Sequence, residues 1–321
     1  MRGRDAAYQR FEALKRSREK RAKAGAAFVE GVQPIEQAVG HCWPFEAIGY
    51  AAGARLSGWA TDMIGRARPD RLYEVAPELM AELSDRDQPC ELIAIVPKRL
   101  PAALPAGDNP LYVLFDRPQN PGNLGTVIRS ADAFGAKGLL VAGHAADPYD
   151  PACIRASVGA LFAMPVAVCQ SFGEALSLLP IRPAIVGTSA RGETAIERVD
   201  LTGPTLLMVG NETFGLSRAL KEQCDVLARI PIGGAASSLN AGCAASICLA
   251  RASAHSTQVN TPRWYRLSVI AKACACHGSR NTGSPSSSGK PGRSASAGVV
   301  TGRARPRLRV PGTAPTHRPT P

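Results

Sequence analysis

Three short polar clusters stand at the ends of apolar runs in this chain. Together they hold residue types that can orient a polar ligand and act on it. LYVLFD is followed by DRPQNPGNLGTVIR, which carries Asn123 and, further on, Arg129. TLLMVG is followed by Asn211, Glu212, Thr213, Phe214 and Gly215, and ARIPI by GGAASSLN with Ser238 and Asn240. Amides and hydroxyls orient a ligand, a carboxylate accepts hydrogen bonds or a proton, and a guanidinium holds a phosphate or a developing oxyanion. Each residue also has a plain reading: Asn123 and Ser238 as helix N-caps, Arg129 as a surface ion-pair partner, Glu212 as a solvated turn residue. Recurrence at three Gly-rich strand ends favours one shared site, because parallel sheets hold ligands beyond the carboxyl ends of their strands.

Other chemistries lack their residues. There is no strand-linked GxGxxG with an acid downstream, no GxxxxGK[ST], no HExxH and no GxSxG. The five histidines are not at metal-ligand spacing, so neither a metal site nor a His-dependent triad is expected. Nine scattered cysteines, several inside apolar runs (Cys243, Cys248), form no disulfide framework and suit a reduced cytoplasm. Cys274-Ala-Cys276-His277 has no second ligand pair nearby, so zinc is not expected there either.

To bring three clusters together the chain needs a parallel sheet, and the pattern from Leu111 predicts one. LYVLFD, GLLVAG, PVAV, PAIVGTSA, TLLMVGNE and VLARIPI read as buried strands. LGTVIRSADAFG (ending at Gly135), DPACIRASVGALF, SFGEALSLL, GLSRALKEQC and SLNAGCAASICLARASA read as the helices between and after them. Continuous apolar strands alternating with helices imply an α/β sheet covered on both faces. Residues 25–100 read as a smaller α/β domain. FVEGVQPIEQAV is a strand running into a helix with Pro34 in its first turn. FEAIGYAAG is a strand, WATDMIGRA a helix, LYEVAPELMAELS a strand then a helix, and CELIAIVPK a strand. LPAALPAGDNP, with three prolines, gives a linker over 101–110.

The charge is unevenly placed. The 321 residues hold 38 Lys+Arg and 26 Asp+Glu, a formal +12. Residues 1–24 carry nine basic residues against three acids, and residues 263–321 carry eleven against none. The body between them has eighteen basic and twenty-three acidic residues, so the excess belongs to the ends. In the basic leader, 1–24, Tyr8, Phe11 and Leu14 recur at three-residue spacing, as in an amphipathic helix. A phosphate-tracking arm and a frayed, solubilising terminus both fit it. The tail, 255–321, is rich in Gly, Ser, Pro and Arg without periodicity and reads as disordered. A genuine basic extension and a shifted reading frame would both give this composition. No run reaches the ~20 apolar residues of a membrane span, and the start has no apolar signal region.

NPGNLGTVIRSADAFG, LLMVGNETFGL and RIPIGGAASSLNAGCAASI, in that order, resemble the three motifs of the SpoU (TrmH-type) RNA 2′-O-ribose methyltransferases of the SPOUT superfamily, over about residues 108–253. FVEGVQPIEQAV and LMAELSDRDQPCELIAIV resemble the L30e-like substrate-binding domain often fused in front. The resemblance implies a knotted (trefoil) SPOUT-type parallel-sheet domain over 111–254, preceded by the L30e-like domain over 25–100. It implies a cytoplasmic homodimer that folds S-adenosyl-L-methionine into the knot and binds RNA across both subunits. The implied substrate is rRNA, 23S first, with tRNA second; a non-catalytic RNA-binding module on the same scaffold is the alternative from another class. No metal and no membrane are implied. Carried over residue by residue, the catalytic set is Asn123, Arg129, Glu212, Ser238 and Asn240, and the cofactor residues are Thr188, Gly210, Ile230 and Leu239. Retention of all five polar residues favours the enzyme over the binder. A guanidinium stays charged to above pH ~12, so Arg129 is read as a phosphate clamp and alkoxide stabiliser rather than a base. The third motif departs from many relatives in having Ala-Gly-Cys after SLN, where Val-Ser-Val is common.

Overall fold

The computed structural model describes residues 1–84, 89–235 and 238–256. The tail expected from residue 255, with its Cys274–His277 fragment, lies outside the described residues beyond Ser256.

The basic leader is drawn inward. It forms α1 (Ala6–Arg16) and α2 (Arg18–Ala24), capped by the side chains of Asp5 and Ser17. Tyr8, Phe11 and Leu14 share one helical face and are fully buried. They pack on one face of a four-stranded sheet, where Phe28, Val75, Ile93 and Ile95 meet them.

That sheet belongs to β1 (Ala26–Glu30), β2 (Ala47–Ala51), β3 (Arg71–Val75) and β4 (Leu92–Pro97). Its order is β1-β4-β2-β3, with β4 antiparallel to both neighbours and β2 parallel to β3. α5 (Pro77–Leu83) shares the leader's face through Leu79, Met80 and Leu83. α3 (Val32–Gly40) and α4 (Gly58–Ala67) supply Ile35, Ala38, Ala60 and Met63 to the core on the other side. Residues alternate between faces along β1, as the two-residue strand period requires: Ala26 and Phe28 go with the leader, Ala27 and Val29 with α3.

After an irregular stretch, in which Leu104 is buried and donates its N–H to Leu178 O at 2.8 Å, the second sheet begins. It contains β5 (Leu111–Asp116), β6 (Gly138–Ala142), β7 (Val166–Cys169), β8 (Ala184–Thr188), β9 (Thr194–Ala195), β10 (Thr205–Val209) and β11 (Val226–Arg229). All neighbours in the order β7-β6-β5-β10-β8-β11-β9 are parallel. The helices are α6 (Pro121–Ala133), α7 (Pro151–Ala156), α8 (Ala160–Ala163), α9 (Phe172–Ser177), α10 (Arg218–Lys221) and α11 (Ala241–Ser256). α11 returns from the β11 side to pack on α6 and β10.

Two helices differ from their sequence reading. DPACIRASVGALF is split between α7 and α8, because Val158 and Gly159 take φ of 53° and 83°. Gly159 lies so close to α3 that a Cβ there would sit 2.9 Å from Pro34 Cα. GLSRALKEQC is helical only over the short α10. The two-residue β9 gives no signal of its own and exists because it pairs with β11.

The two sheets are locked together by ions and rings. Arg21, 1% exposed, sends Nε to Asp147 Oδ2 and Nη2 to Asp150 Oδ2, both at 2.8 Å, and Nη1 to the carbonyls of Leu14 and Lys15. Lys98 stands 3.5 Å from Asp147, and Arg18 donates to Ala145 O. Trp43 Nε1 donates to Phe162 O at 2.9 Å, with the rings edge to face at 5.0 Å. The Tyr149 hydroxyl donates to Arg99 O and accepts from Arg99 N. Among the described residues no helix is long and apolar enough to cross a membrane.

Candidate active site

The three clusters meet where β5, β10 and β11 end. α6 opens with Asn120, whose Oδ1 accepts the N–H groups of Gly122 (2.7 Å) and Asn123 (3.1 Å), and Pro121 occupies the first turn. The cap is thus Asn120, and the Asn123 side chain is left for another use. Its Nδ2 donates to Glu212 Oε1 at 3.1 Å, and its Oδ1 accepts from Asn240 Nδ2 at 2.9 Å. Asn240 Oδ1 meanwhile accepts the N–H groups of Gly242 and Cys243 at the start of α11. One continuous line, Asn240–Asn123–Glu212, therefore joins the three motifs.

Glu212 also accepts from the backbone N–H groups of Gln119 (3.2 Å) and Asn120 (3.3 Å). Partial burial pushes its carboxyl upward, but its own N–H, the Asn123 amide and those two N–H groups outweigh burial and hold it below the ordinary carboxylate value. The site keeps an ionised carboxylate.

The turn that carries Glu212 is tightly built. Asn211 and Gly215 exchange backbone hydrogen bonds at 3.1 and 2.9 Å. Asn211 Oδ1 accepts from the N–H groups of Thr213 and Phe214, while its Nδ2 donates to Arg117 O. A Cβ at Gly210 would lie 2.2 Å from Leu216 N and 2.3 Å from Gly215 C, so only glycine lets the turn close.

Beside this turn lies a cavity of about 470 Å³, lined by Thr188, Gly210, Glu212, Phe214, Ile230, Ser238 and Leu239 among others. The structure thus brings all four residues expected at the cofactor to one hollow, together with two of the expected catalytic set. Thr188 Oγ1 donates to Met208 O, and Ser238 faces the cavity with no hydrogen bond to another described residue. Asn123 and Asn240 stand just behind Glu212. Arg129 is apart from them: it is exposed on α6, does not line the cavity, and has no ion pair or hydrogen bond among the described residues. A second hollow of about 460 Å³, lined by Arg10, Glu46, Arg71 and Tyr73, lies on the front sheet and holds none of the clusters.

Sequence reasoning missed Asn120 and the scaffold role of Asn211. Asn-Pro before an apolar-periodic run is a helix-start signal that marks the first, and Asn at the head of a Gly-containing turn marks the second.

The cavity's size lies within the ~300–1,000 Å³ of small-molecule sites. Apolar Val209, Ala228, Ile230, Leu239 and Ala244 line it together with the hydroxyls of Thr188 and Ser238, the Glu212 carboxylate and the cations of Arg191 and Lys221. Apolar faces with hydroxyls and charges of both signs fit a flat nucleoside carrying an arm of mixed charge, as S-adenosylmethionine does with its carboxylate, ammonium and sulfonium. Among the described residues no group of three or more His, Cys, Asp or Glu could hold a metal ion.

A parallel sheet with a nucleoside-sized hollow and a fixed carboxylate at its strand ends is the arrangement of an α/β ligand-binding enzyme. Comparison with known proteins narrows the class. Residues 110–250 match the SpoU rRNA Methylase family and residues 5–94 match the SpoU L30e-like domain, so the chain belongs to the SpoU family. A 23S rRNA (uridine(2479)-2′-O)-methyltransferase of Streptomyces viridochromogenes is 44% identical over 257 residues, which is 77% of this chain and 88% of that protein. The crystal structure of the SpoU methyltransferase AviRb from the same organism, in complex with the cofactor AdoMet, superposes with a TM-score of 0.75 at 41% identity, covering 79% of this chain and 99% of that one. An AdoMet-bound rRNA methyltransferase from Sinorhizobium meliloti gives 0.71 at 27% identity, covering 79% and 98%. The L30e-like match begins at residue 5, ahead of α1, in keeping with the packing of the leader.

Proposed function

We propose that this chain transfers a methyl group from S-adenosylmethionine to a ribose 2′-hydroxyl of 23S rRNA. The observation that carries the reading is the line Asn240–Asn123–Glu212 beside a nucleoside-sized cavity. The substrate is drawn from the Streptomyces viridochromogenes relative, whose length this chain largely covers.

Bound in the cavity, S-adenosylmethionine would supply a methyl on an activated sulfonium, so the protein's work is alignment and handling of one proton. Thr188, Ile230 and Leu239 hold the nucleoside part, and the backbone at Gly210 shapes the floor. Glu212, held by four N–H donors, would accept the proton of the ribose hydroxyl as that oxygen bonds the methyl carbon, the carbon–sulfur bond breaks and the neutral thioether leaves. Asn123 and Asn240 fix the carboxylate's direction, and Ser238 offers a free hydroxyl at the rim. Arg129 engages the phosphate next to the target ribose and stabilises the developing alkoxide through its guanidinium. A sulfonium is already a good leaving group, so the step requires no metal.

The active form is a cytoplasmic homodimer in this reading. α11 exposes Cys243 and Ile247, the latter 42% exposed, next to the α6 helix that carries Arg129. A second copy seated there would cover the apolar face and close the site around the arginine. The return of α11 from the far side of β8 and β11 to α6 supports a trefoil knot in the C-terminal segment.

The test is twofold. Millimolar S-adenosylmethionine, or its demethylated product, is expected to raise the thermal midpoint of the full chain, by mass action on the folded state. Mapping of 2′-O-methyl positions in RNA from cells with and without the gene should show one missing mark in 23S rRNA. A missing mark in tRNA, or none at all, overturns the assignment.

A further inference from the structure

Phe214 is the most exposed large apolar side chain among the described residues, at 78%. Isolated exposed apolar residues are ordinary on protein surfaces. Phe214 is not ordinary in its setting, because the chain beneath it is fixed. Its own N–H is held by Asn211 Oδ1 at 3.1 Å, the turn is closed on both sides by the Asn211–Gly215 pair, and Asn211 is anchored to Arg117 O at 2.7 Å. Gly215 ends the turn at φ 68°. A rigid support thus projects an aromatic ring into solvent at the rim of the cavity, two residues from Glu212.

We propose that Phe214 is the stacking platform for the base of the nucleotide whose ribose is methylated. The inference rests on the ribose-methylation reading above and adds a residue to it. A 2′-hydroxyl that reaches Glu212 brings its own base within one nucleotide's breadth, and two residues of backbone span at most about 7 Å. An RNA nucleotide must leave its stack to enter such a hollow, and proteins that hold splayed-out bases replace the lost stacking with an aromatic face. Every base has such a face, so Phe214 supplies grip without reading base identity. It is a positioning residue: its ring holds the base so that the ribose points at the carboxylate.

The experiment compares the full-length chain with Phe214→Ala, Phe214→Leu and Phe214→Trp. Readouts are kcat and KM for methylation of a 23S rRNA transcript, S-adenosylmethionine affinity without RNA, and mass by light scattering. One stacked base is worth about 5- to 150-fold in affinity. Ala and Leu are expected to raise KM for RNA by that order, well beyond any change in cofactor affinity and with mass unchanged, and Trp to keep more RNA affinity than either. Relative to wild type, the fluorescence added by Phe214→Trp should be quenched on adding RNA. A Leu variant with wild-type KM, an absence of quenching, or an Ala variant that loses as much cofactor affinity as RNA affinity or changes mass overturns the proposal. If the wild-type chain methylates no RNA, the ribose-methylation reading has failed instead, and the quenching result still decides whether a base stacks on the ring.

Discussion

Asn123→Asp replaces one NH₂ by an oxygen of nearly the same size and leaves the fold's packing untouched. The new oxygen would face Glu212 Oε1 across the 3.1 Å now spanned by a hydrogen bond. Two carboxylate charges near 4 Å repel by about 1 kcal/mol in bulk water and about 4 kcal/mol at an effective dielectric near 20. With 1.36 kcal/mol per pH unit, the pair should take up a proton about 1–3 units higher than Glu212 does alone. The sign follows from the wild-type site, where Glu212 lies below the ordinary carboxylate value. Its ionised form is present above that value, and its contribution to stability is lost only as pH falls through the lower folded value. In Asn123→Asp the acid limb of the pH–rate profile should move up by about 1–3 units, with activity recovering at alkaline pH. Single-turnover methyl transfer, measured across the pH range, reads this directly. An unmoved limb, or an equal loss at every pH, would refute the claim that Asn123 acts by keeping Glu212 ionised.

Three further outcomes follow from particular contacts. Gly210→Ala places a methyl within 2.2–2.7 Å of backbone at Gly215 and Leu216, so the turn must open; calorimetry should show cofactor affinity falling by roughly tenfold or more while the fold persists. Arg21→Met leaves Asp150 without its ion-pair partner and Asp147 with Lys98 alone, and should cost about 3 kcal/mol in chemical denaturation. Arg129→Ala should abolish methyl transfer and leave cofactor affinity intact, since Arg129 lines no part of the cavity; unchanged turnover would remove its assigned role.

The seven-stranded sheet was legible where its central strands are buried on both faces and read as unbroken apolar runs, as in LYVLFD and TLLMVG. What spacing does not encode is contact across distance. Asn123 and Asn240 are 117 residues apart and bonded, and nothing in either segment announces it. The break between α7 and α8 falls at Gly159, whose glycine was visible in DPACIRASVGALF, but the close approach of α3 that leaves no room for a side chain there was not. Arg129 matched a motif, yet its position outside the cavity depends on which face of α6 it occupies relative to α11. The leader shows the same limit differently. Helical spacing revealed its apolar stripe, but composition could not tell that Arg21 points inward to two carboxylates.

That inward arginine changes how the molecule meets a large substrate. A tether over 101–110 alone would let the front sheet roam over a span of up to roughly 33 Å. The Arg21–Asp147–Asp150 cluster, with Lys98 and the Trp43–Phe162 contact, withdraws that freedom. The front sheet and the cavity are then the two jaws of a caliper set at one opening. Any ligand that spans both jaws meets that one separation.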